Sequence, residues 1–540
     1  MKMKNNNKVS NKKKYVGGEV IAAGGFGCIF KPQLMCENTK KYDKEGISKL
    51  MTIKNAQQEM IEINKINSIT KNIPKRDNYF LLKNIYKCIP KPLENSDKIN
   101  LNKKCNNLKK KNINERNINN KLDLLQAINM PYMGDDLDTF WQKWINITNI
   151  KEKNAIFNQV NNKLIELLKN GILKINEKKY YHTDIKGANI LIQHANKNDK
   201  YKTNLKLIDW GLSEKYNNKS VLNNLINKPI QFNLPYGNIL FTKYTNEIIN
   251  KSNYRSRVAN ILFNKYDIMK IIALNIYNKV LKKIGNGHIS YIYYMLDKIY
   301  KTFLDTKTSD KFIKNKLISY LTEILFKYVD ETDMFNQDRY FEEVYRKNID
   351  IWGFLMSYID IPLHTKDPWN DVLSSKILTI IIEYCLNNKY AVEPIPVNDV
   401  IADLKKCNNS IIQEKDKSIF TSIPIFNTDS RNKNAGIDDI KSKKSKSVKS
   451  KSVKSKSVKS KSIKSKSIKS KTKKSKSIKS KTKKSKSIKS KSIKRKSISR
   501  KSKTAKKSLE KSFLSKNDFI KFMNTFSQLN KSDNKPVAIR

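Results

Sequence analysis

Two short stretches of this chain carry side chains suited to phosphoryl transfer. The first contains His182, Asp184, Lys186 and Asn189 at fixed offsets, and the second is Asp209-Trp210-Gly211. Phosphoryl transfer needs an oriented hydroxyl group, cations that neutralise the moving phosphate and exclusion of water. Asp184 could accept the hydroxyl proton, Lys186 could reach the γ-phosphate, and Asn189 and Asp209 could bind magnesium.

Each stretch alone is a weak signal. A His-x-Asp tripeptide alone is about as often an ordinary surface loop as part of a functional site. Asp209-Trp210-Gly211 alone is more often a plain turn after a strand than a metal-binding turn. The apolar run 205–208 places Asp209 at a strand end, where its carboxylate could bridge magnesium to the phosphates, and Gly211 allows a sharp turn. The combination of both stretches with Lys186 and Asn189 is much more specific than either part.

A glycine cluster near the start of the chain lies between two β-prone runs, 19–21 and 28–30. This pattern predicts a glycine-tipped hairpin. A dinucleotide-binding loop would lead into a helix, whereas the second run here ends as a strand at Pro32, so we expect the hairpin to cover the phosphates of ATP. The residues predicted to contact ATP in this hairpin are Ile21, Ala22, Ala23, Gly24, Gly25, Phe26, Gly27, Cys28 and Ile29.

An amphipathic helix is predicted over 53–69, where apolar residues recur at spacings of three and four. Lys49 lies just before it between apolar neighbours and is the candidate for binding the α- and β-phosphates. Glu59 on the helix is the preferred partner for this lysine, with Glu62 as the alternative. In a chain this rich in lysine, Lys49 could also be an ordinary solvated side chain.

The run 128–137 resembles a nucleotide-binding hinge. Met130 would be the gatekeeper, and backbone groups of residues 131–133, including Tyr132 and Met133, would bond adenine. The alternative is a strand-to-helix connection that binds no ligand.

The second half of the chain is predicted to be mainly helical. Long stretches with helical apolar periodicity cover 155–168, 266–284, 289–303, 312–329 and 373–386. Residues 91–121 are rich in Asn and Lys and are interpreted as an inserted loop. Residues 1–14 are expected to be a disordered basic arm, 408–440 a linker, 441–509 a disordered Lys/Ser repeat, and 510–540 a short helix with a tail.

The chain is strongly basic, with a formal net charge of +60. The repeat carries 32 Lys and Arg and no acidic residue, so the remainder is basic too. This charge favours anionic partners such as nucleotides, nucleic acid or acidic surfaces. The six cysteines show neither CxxC pairs nor metal-ligand spacing and are interpreted as free thiols in a reducing compartment. No stretch predicts a secretion signal or a membrane span.

These motifs together resemble the eukaryotic-type serine/threonine protein kinases, and within them the divergent kinases of large nucleocytoplasmic DNA viruses. Further stretches similar to that viral group are 26–32, 47–51, 129–134 and 285–288, and 349–353 resembles the helix that anchors a kinase catalytic loop, with Asp350 as its buried carboxylate. The resemblance covers roughly 15–407. It implies an α+β, bilobal kinase fold with a small β-rich N-lobe containing one helix (about 15–133) and a large, mainly helical C-lobe with insertions (about 134–407).

The chain also departs from the kinase pattern. Thr183 replaces the arginine usual before the catalytic aspartate, so activation by a phosphate docking on that arginine is not expected. No Ala-Pro-Glu is present, and 232–236 is the candidate replacement. The long interval between Asp209 and Asp350 implies helical insertions on the substrate side.

The resemblance implies an ATP-dependent serine/threonine kinase that uses Mg²⁺, with Mn²⁺ as an alternative, and acts on protein hydroxyls. A catalytically silent kinase fold that binds nucleic acid is the alternative function. The repeat could tether nucleic acid or another polyanion, be autophosphorylated, or only aid solubility. The expected location is intracellular, in the host cytoplasm at the viral factory or in the virion, with the nucleus as an alternative.

Overall fold

The computed structural model describes residues 18–23, 27–38, 41–197, 200–218, 220–252, 264–300, 309–330 and 334–411. All of these belong to the first of two compact units, Met1–Asn427. The predicted arm 1–14, the repeat 441–509 and the helix in 510–540 lie outside the described residues, as do most of the linker and Gly24, Gly25 and Phe26. In the described part the fold is α+β, with small antiparallel sheets and mostly helix, which confirms the predicted class.

A five-stranded antiparallel sheet occupies the first part of the described chain, in the order β1-β2-β3-β5-β4. Its strands are β1 (Glu19–Ala23), β2 (Gly27–Lys31), β3 (Ile47–Thr52), β4 (Tyr86–Cys88) and β5 (Leu125–Met130). Strands β1 and β2 pair as a hairpin with Ala23 opposite Cys28, as predicted. In the centre of the sheet, Lys49 lies between Ile29 and Ile128, so these three side chains share one face.

Helix α1 (Ile53–Ile69) follows β3 directly and has the predicted bounds. Its buried residues are Ala56, Ile63 and Ile66, which fall on one helical face. Ala56 packs with Met51 of β3 and Ile128 of β5, so this face fastens the helix to the sheet. The helix is thereby held close to Lys49.

The segment 91–121 is folded against the sheet, and the prediction of an inserted loop is wrong in this respect. It contains the short helices α2 (Leu101–Lys104) and α3 (Asn106–Lys109). Its scattered apolar residues are buried in one cluster with Val20 and Phe30 of the hairpin; they include Leu93, Leu101, Leu108, Ile113 and Ile118. The irregular spacing of these residues has neither helical nor strand period, so the abundant Asn and Lys concealed their burial.

Two disulfides join this segment and its neighbours to the sheet, so the prediction of six free thiols is wrong. The pairs are Cys28–Cys105 and Cys36–Cys88, with sequence separations of 77 and 52 residues. Partners so distant in sequence have no local signature. Cys385 and Cys407 are free and buried.

We expect alkylation of the unfolded, unreduced protein to modify only Cys385 and Cys407. After reduction all six cysteines should react, and the thermal midpoint should fall, because each crosslink closes a loop whose entropy is worth about 4 kcal/mol. Intact mass measurement checks the first result and calorimetry the second. Six modifications before reduction would contradict the two pairings.

The rest of the described chain is mainly helical, as predicted. Its helices are α4 (Leu137–Trp144), α5 (Ile150–Leu167), α6 (Leu173–Glu177), α7 (Lys243–Ser252), α8 (Lys265–Lys283), α9 (Ile289–Tyr300), α10 (Ser309–Tyr328), α11 (Gln337–Tyr340), α12 (Arg346–Met356), α13 (Asp360–His364), α14 (Val372–Ile381), α15 (Lys389–Val392) and α16 (Val397–Lys406). No helix in the described ranges is long and apolar enough to cross a membrane.

Two small antiparallel sheets frame the loop that contains Asp184. One has the order β6-β8-β9, formed by β6 (Asp135–Asp136), β8 (Ile190–Lys197) and β9 (Lys200–Leu207). The other pairs β7 (Tyr180–Tyr181) with β10 (Glu214–Lys215). Helix α12 lies in the main core, where every residue from Asn348 to Met356 is buried. The loop therefore has rigid elements on both sides.

Candidate active site

The loop after β7 is held to α12 by hydrogen bonds to Asp350. The backbone N–H groups of His182 and Thr183 donate to Asp350 Oδ2 and Oδ1, each at 2.9 Å. Asp350 is 1% exposed, and this burial raises the pKa of its carboxyl group. His182 and the two backbone N–H donors oppose the rise, because they favour the charged carboxylate. The sequence suggests Asp350 for this role, and the structure places it against the loop.

Thr183 adopts a left-handed backbone conformation, with φ 59°. A β-branched residue rarely occupies this region, so the conformation is strained and must be held by its surroundings. The Thr183 hydroxyl donates to the Leu212 carbonyl at 2.6 Å, in addition to the N–H bond to Asp350. Thr183 thus ties the loop to the segment after Asp209.

His182 makes a second connection between these two segments. Its Nε2 lies 2.9 Å from the Ile208 carbonyl, and its Nδ1 accepts the Asp184 N–H at 3.3 Å. An Nδ1 that accepts requires the proton on Nε2, which then donates to Ile208. The buried ring also packs against Trp210, with centroids 4.8 Å apart.

Asp184 is buried and surrounded by donors. Lys186 Nζ donates to Asp184 Oδ2 at 2.8 Å, Asn189 Nδ2 donates to Oδ2 at 3.1 Å, and Asn233 Nδ2 donates to Oδ1 at 2.9 Å. Burial opposes the charged form, but the charge of Lys186 and these hydrogen bonds outweigh it, so the pKa of Asp184 is lowered. An aspartate with a lowered pKa is ionised at neutral pH and can accept a proton.

Asn233 was not predicted as a site residue. The sequence places it only within 232–236, the candidate replacement for Ala-Pro-Glu. The structure buries it completely, with Nδ2 bridging Asp184 Oδ1 and the Ile185 carbonyl at 3.2 Å. A nearby bond from Trp352 Nε1 to the Phe232 carbonyl, 2.9 Å long, holds its segment on α12. No motif or spacing in the sequence links Asn233 to Asp184, so the contact could not be predicted.

Asn189 and Asp209 lie at the same end of the β8–β9 hairpin. Ile190 pairs with Leu207, and the Ile208 N–H donates to the Asn189 carbonyl at 3.0 Å, so Asp209 follows beside Asn189. Asn189 Nδ2 is committed to Asp184, which leaves the amide oxygen as its available group. Asp209 is exposed. A carboxylate and an amide oxygen are the donors that magnesium prefers, so the two residues fit this ion.

Asp209 has a left-handed backbone conformation, with φ 65°, and begins the short helical turn Trp210–Leu212. Trp210 fixes this turn, because it is buried against Phe80 and His182, with a ring distance of 5.5 Å to Phe80. A carboxylate in a rarely adopted conformation, held by a packed neighbour, is typical of functional sites.

Lys49 pairs with Glu59 of α1. Lys49 Nζ lies 2.6 Å from Glu59 Oε2, and both side chains are mostly buried. Glu62, the alternative partner, accepts from Gln58 Nε2 at 2.8 Å and lies 3.9 Å from Lys65 Nζ. The structure thus pairs Lys49 with Glu59, whereas Glu62 contacts Gln58 and Lys65.

The hairpin residues predicted to contact ATP fall on different faces. Ile21 and Ile29 are half-exposed, Ala22 and Ala23 are exposed, and Ile29 shares the face of Lys49. The Cys28 side chain points to the opposite face, where it is buried in its disulfide, so only its backbone is left for a ligand. At Gly27 a Cβ would approach the Leu50 carbonyl to 2.4 Å, which explains the need for glycine.

The predicted hinge links β5 to β6. Met130 ends β5 half-buried, and its carbonyl accepts from Gln33 Nε2 at 3.3 Å. Lys31 Nζ lies 3.3 Å from the centre of the Tyr132 ring. Among the described contacts, no hydrogen bond involves the backbone of residues 131–133, Met133 included. The backbone groups of these described residues are therefore available to a ligand, and the hinge stays a prediction.

Asp138 of α4 packs against Gly187 in the loop that contains Asp184 and accepts the N–H of Ala188. Burial, with the charges of Asp360 and Asp136, raises the pKa of Asp138 to about 7. This pKa lies above the value of 3.8 in the unfolded chain, so protonated Asp138 stabilises the folded state at low pH. The stabilisation is lost as the pH rises through about 7.

We expect Asp138→Asn to remove this pH dependence. Between one pH unit below and one above 7, wild-type protein should lose about 1 kcal/mol of unfolding free energy that the variant retains. Thermal unfolding of both proteins across this range measures the difference, with the exposed Asp123→Asn as control. A constant difference between variant and wild type would contradict the raised pKa.

No protein-family model matches the chain, and no curated protein matches it significantly.

Proposed function

We propose that this protein is an ATP-dependent protein kinase that transfers the γ-phosphate of ATP to serine or threonine hydroxyls. The observation that carries the proposal is the environment of Asp184, a buried, ionised carboxylate that accepts from Lys186 and Asn189. Asn189 lies at the end of the β8–β9 hairpin beside Asp209. In this proposal the sheet β1–β5 with α1 is the N-lobe of a bilobal kinase and the helical part is the C-lobe.

Asp184 accepts the proton of the acceptor hydroxyl as the hydroxyl oxygen bonds to the γ-phosphorus. The bond from that phosphorus to the β-γ bridging oxygen breaks at the same time, and ADP leaves. Asn233 and Asn189 aim its carboxylate, since each donates to one oxygen. Lys186 neutralises charge on the moving phosphate, and the backbone bonds to Asp350 keep the whole loop in place. Preorganised charges of this kind account for most of the catalysis in phosphoryl transfer.

The nucleotide is held between the sheet and the helical part. Lys49, oriented by Glu59, contacts the α- and β-phosphates, and the hinge backbone at 131–133 bonds adenine. Asn189 and Asp209 would hold magnesium, and the ion would supply positive charge against the β- and γ-phosphates. The relationship to viral kinases, the host compartment and the role of the repeat remain predictions.

We expect Lys49→Met to lower kcat/KM for ATP by about 10²- to 10³-fold, because a buried charge that faces the phosphates is lost. Glu59→Gln should lower it as well, since the lysine loses its orienting partner. Phosphate transfer to a basic protein acceptor, measured over a range of ATP concentrations, gives these values.

Two variants on α1, the helix that contains Glu59, serve as matched controls. Lys54→Met removes an exposed lysine from the first turn of α1, and Glu62→Gln removes the carboxylate next along the helix. Both should retain wild-type kinetics. Equal losses for Lys49→Met and Lys54→Met would refute the proposed phosphate contact.

A further inference from the structure

Lys228 is a buried lysine near the candidate site, and no ion pair to it is formed by the residues that the structure describes. It is nine-tenths buried, and its Nζ has no hydrogen-bond partner among the described residues. Its backbone is fixed, since the N–H donates to the Leu225 carbonyl at 3.4 Å and the carbonyl accepts from Asn238 Nδ2 at 3.4 Å. An unpaired ammonium group is costly to bury, so its retention suggests an anion that binds there.

The electrostatic neighbours of Lys228 are Asp184 and Lys186. Asp184 cannot fully compensate Lys228, because its oxygens already accept from Lys186, Asn189 and Asn233. Burial, with a contribution from Lys186, lowers the pKa of Lys228, while Asp184 opposes this shift. Asp184 therefore leaves part of the positive charge of Lys186 and Lys228 uncompensated.

His288 adds a second unsatisfied group beside the segment that follows Lys228. Its Nδ1 is buried and has no partner in the described part of the chain. The His288 N–H donates to the Ile230 carbonyl at 2.9 Å, and its ring packs against Phe232 with centroids 5.5 Å apart. The charged groups within electrostatic range of the ring are Lys186, Asp184 and Lys228, and burial, followed by Lys186, lowers the pKa of His288.

We propose that Lys228 and His288 form a subsite for the phosphate monoester that is produced on the acceptor side chain. This inference rests on the proposed kinase function and adds the residues that receive the transferred group. The dianion would give Lys228 its missing partner through a charge-assisted hydrogen bond and would accept a second hydrogen bond from protonated His288. Proximity to Asp184 favours the newly formed ester over a phosphate elsewhere on the acceptor.

The chain contains four histidines, so histidine-labelled full-length protein gives a simple NMR spectrum, and His288→Gln identifies the resonance of His288. We expect N-acetyl-O-phosphoserine amide to raise the pKa of His288, because a bound dianion stabilises the imidazolium, while N-acetylserine amide should have no effect. Lys228→Gln should weaken the apparent affinity about 10- to 100-fold, since it removes one charge-assisted bond. The exposed Lys174→Gln should behave as wild type.

The other three histidine resonances report whether Lys228→Gln retains the fold. An unchanged His288 in wild type, an equal response in Lys228→Gln, or a response to inorganic phosphate without one to the phosphoserine amide would each overturn the subsite. Because no ATP and no turnover are involved, a failure here is separate from a failure of the kinase proposal. Conversely, binding of the ester by a protein that transfers no phosphate would support the subsite and refute the kinase function.

Discussion

Replacing Asp184 with asparagine is expected to lower kcat by about 10²- to 10⁴-fold, the usual cost of losing a general base. The amide retains the size of the carboxylate but cannot accept the hydroxyl proton. It also has no charge to pair with Lys186, which lies 2.8 Å from Asp184 Oδ2. Initial rates of phosphate transfer at saturating ATP give the effect on kcat.

Asp184→Asn should leave nucleotide affinity nearly unchanged, because the groups assigned to the nucleotide are Lys49, the hinge backbone and the magnesium ligands. Equilibrium binding of a fluorescent ATP analogue separates this case from misfolding. The exposed Asp399→Asn on α16 makes the same chemical change away from the catalytic loop and should keep full activity. If Asp184→Asn and Asp399→Asn transfer phosphate equally fast, Asp184 is not the base.

Replacing Asp350 with asparagine is expected to reduce the free energy of unfolding by about 2–4 kcal/mol. The carboxylate accepts both the His182 and the Thr183 N–H, whereas an amide has only one oxygen and must direct its own N–H groups at a donor. The strained φ of Thr183 also loses a restraint. Chemical denaturation monitored by circular dichroism measures the loss.

The same substitution should lower kcat in the folded protein, because the loop that carries Asp184 is no longer fixed. Asp399→Asn again provides the surface control, and it should change stability by less than about 0.5 kcal/mol. Wild-type stability in Asp350→Asn would show that the two backbone hydrogen bonds do not hold the loop.

The parts of the fold that depend on local sequence were predictable. The 3.6-residue apolar period gave α1 its bounds, and the glycines between β-prone runs indicated the β1–β2 hairpin. Offsets within the loop 182–189 are likewise local, so Asp184, Lys186 and Asn189 could be grouped from their spacing in the sequence. Here the short-range geometry of the chain determines the contacts.

The parts that depend on distant contacts were not predictable. Asn233 reaches Asp184 across 49 residues, and Cys28 reaches Cys105 across 77. Neither pair has a pattern in a chain so rich in Asn and Lys, where single residues of these types carry little information. The same composition concealed Lys228, because only its burial and its electrostatic interaction with Asp184 distinguish it from the many other lysines.

The most direct test of the kinase proposal is transfer of label from [γ-³²P]ATP and magnesium by the purified full-length protein to a basic protein acceptor, followed by phosphoamino acid analysis. The proposal predicts phosphoserine or phosphothreonine in the wild-type reaction and only background label with Asp184→Asn or Asp209→Asn. Wild-type protein that binds ATP but gives no label above those two variants would contradict it and favour the silent, nucleic-acid-binding alternative.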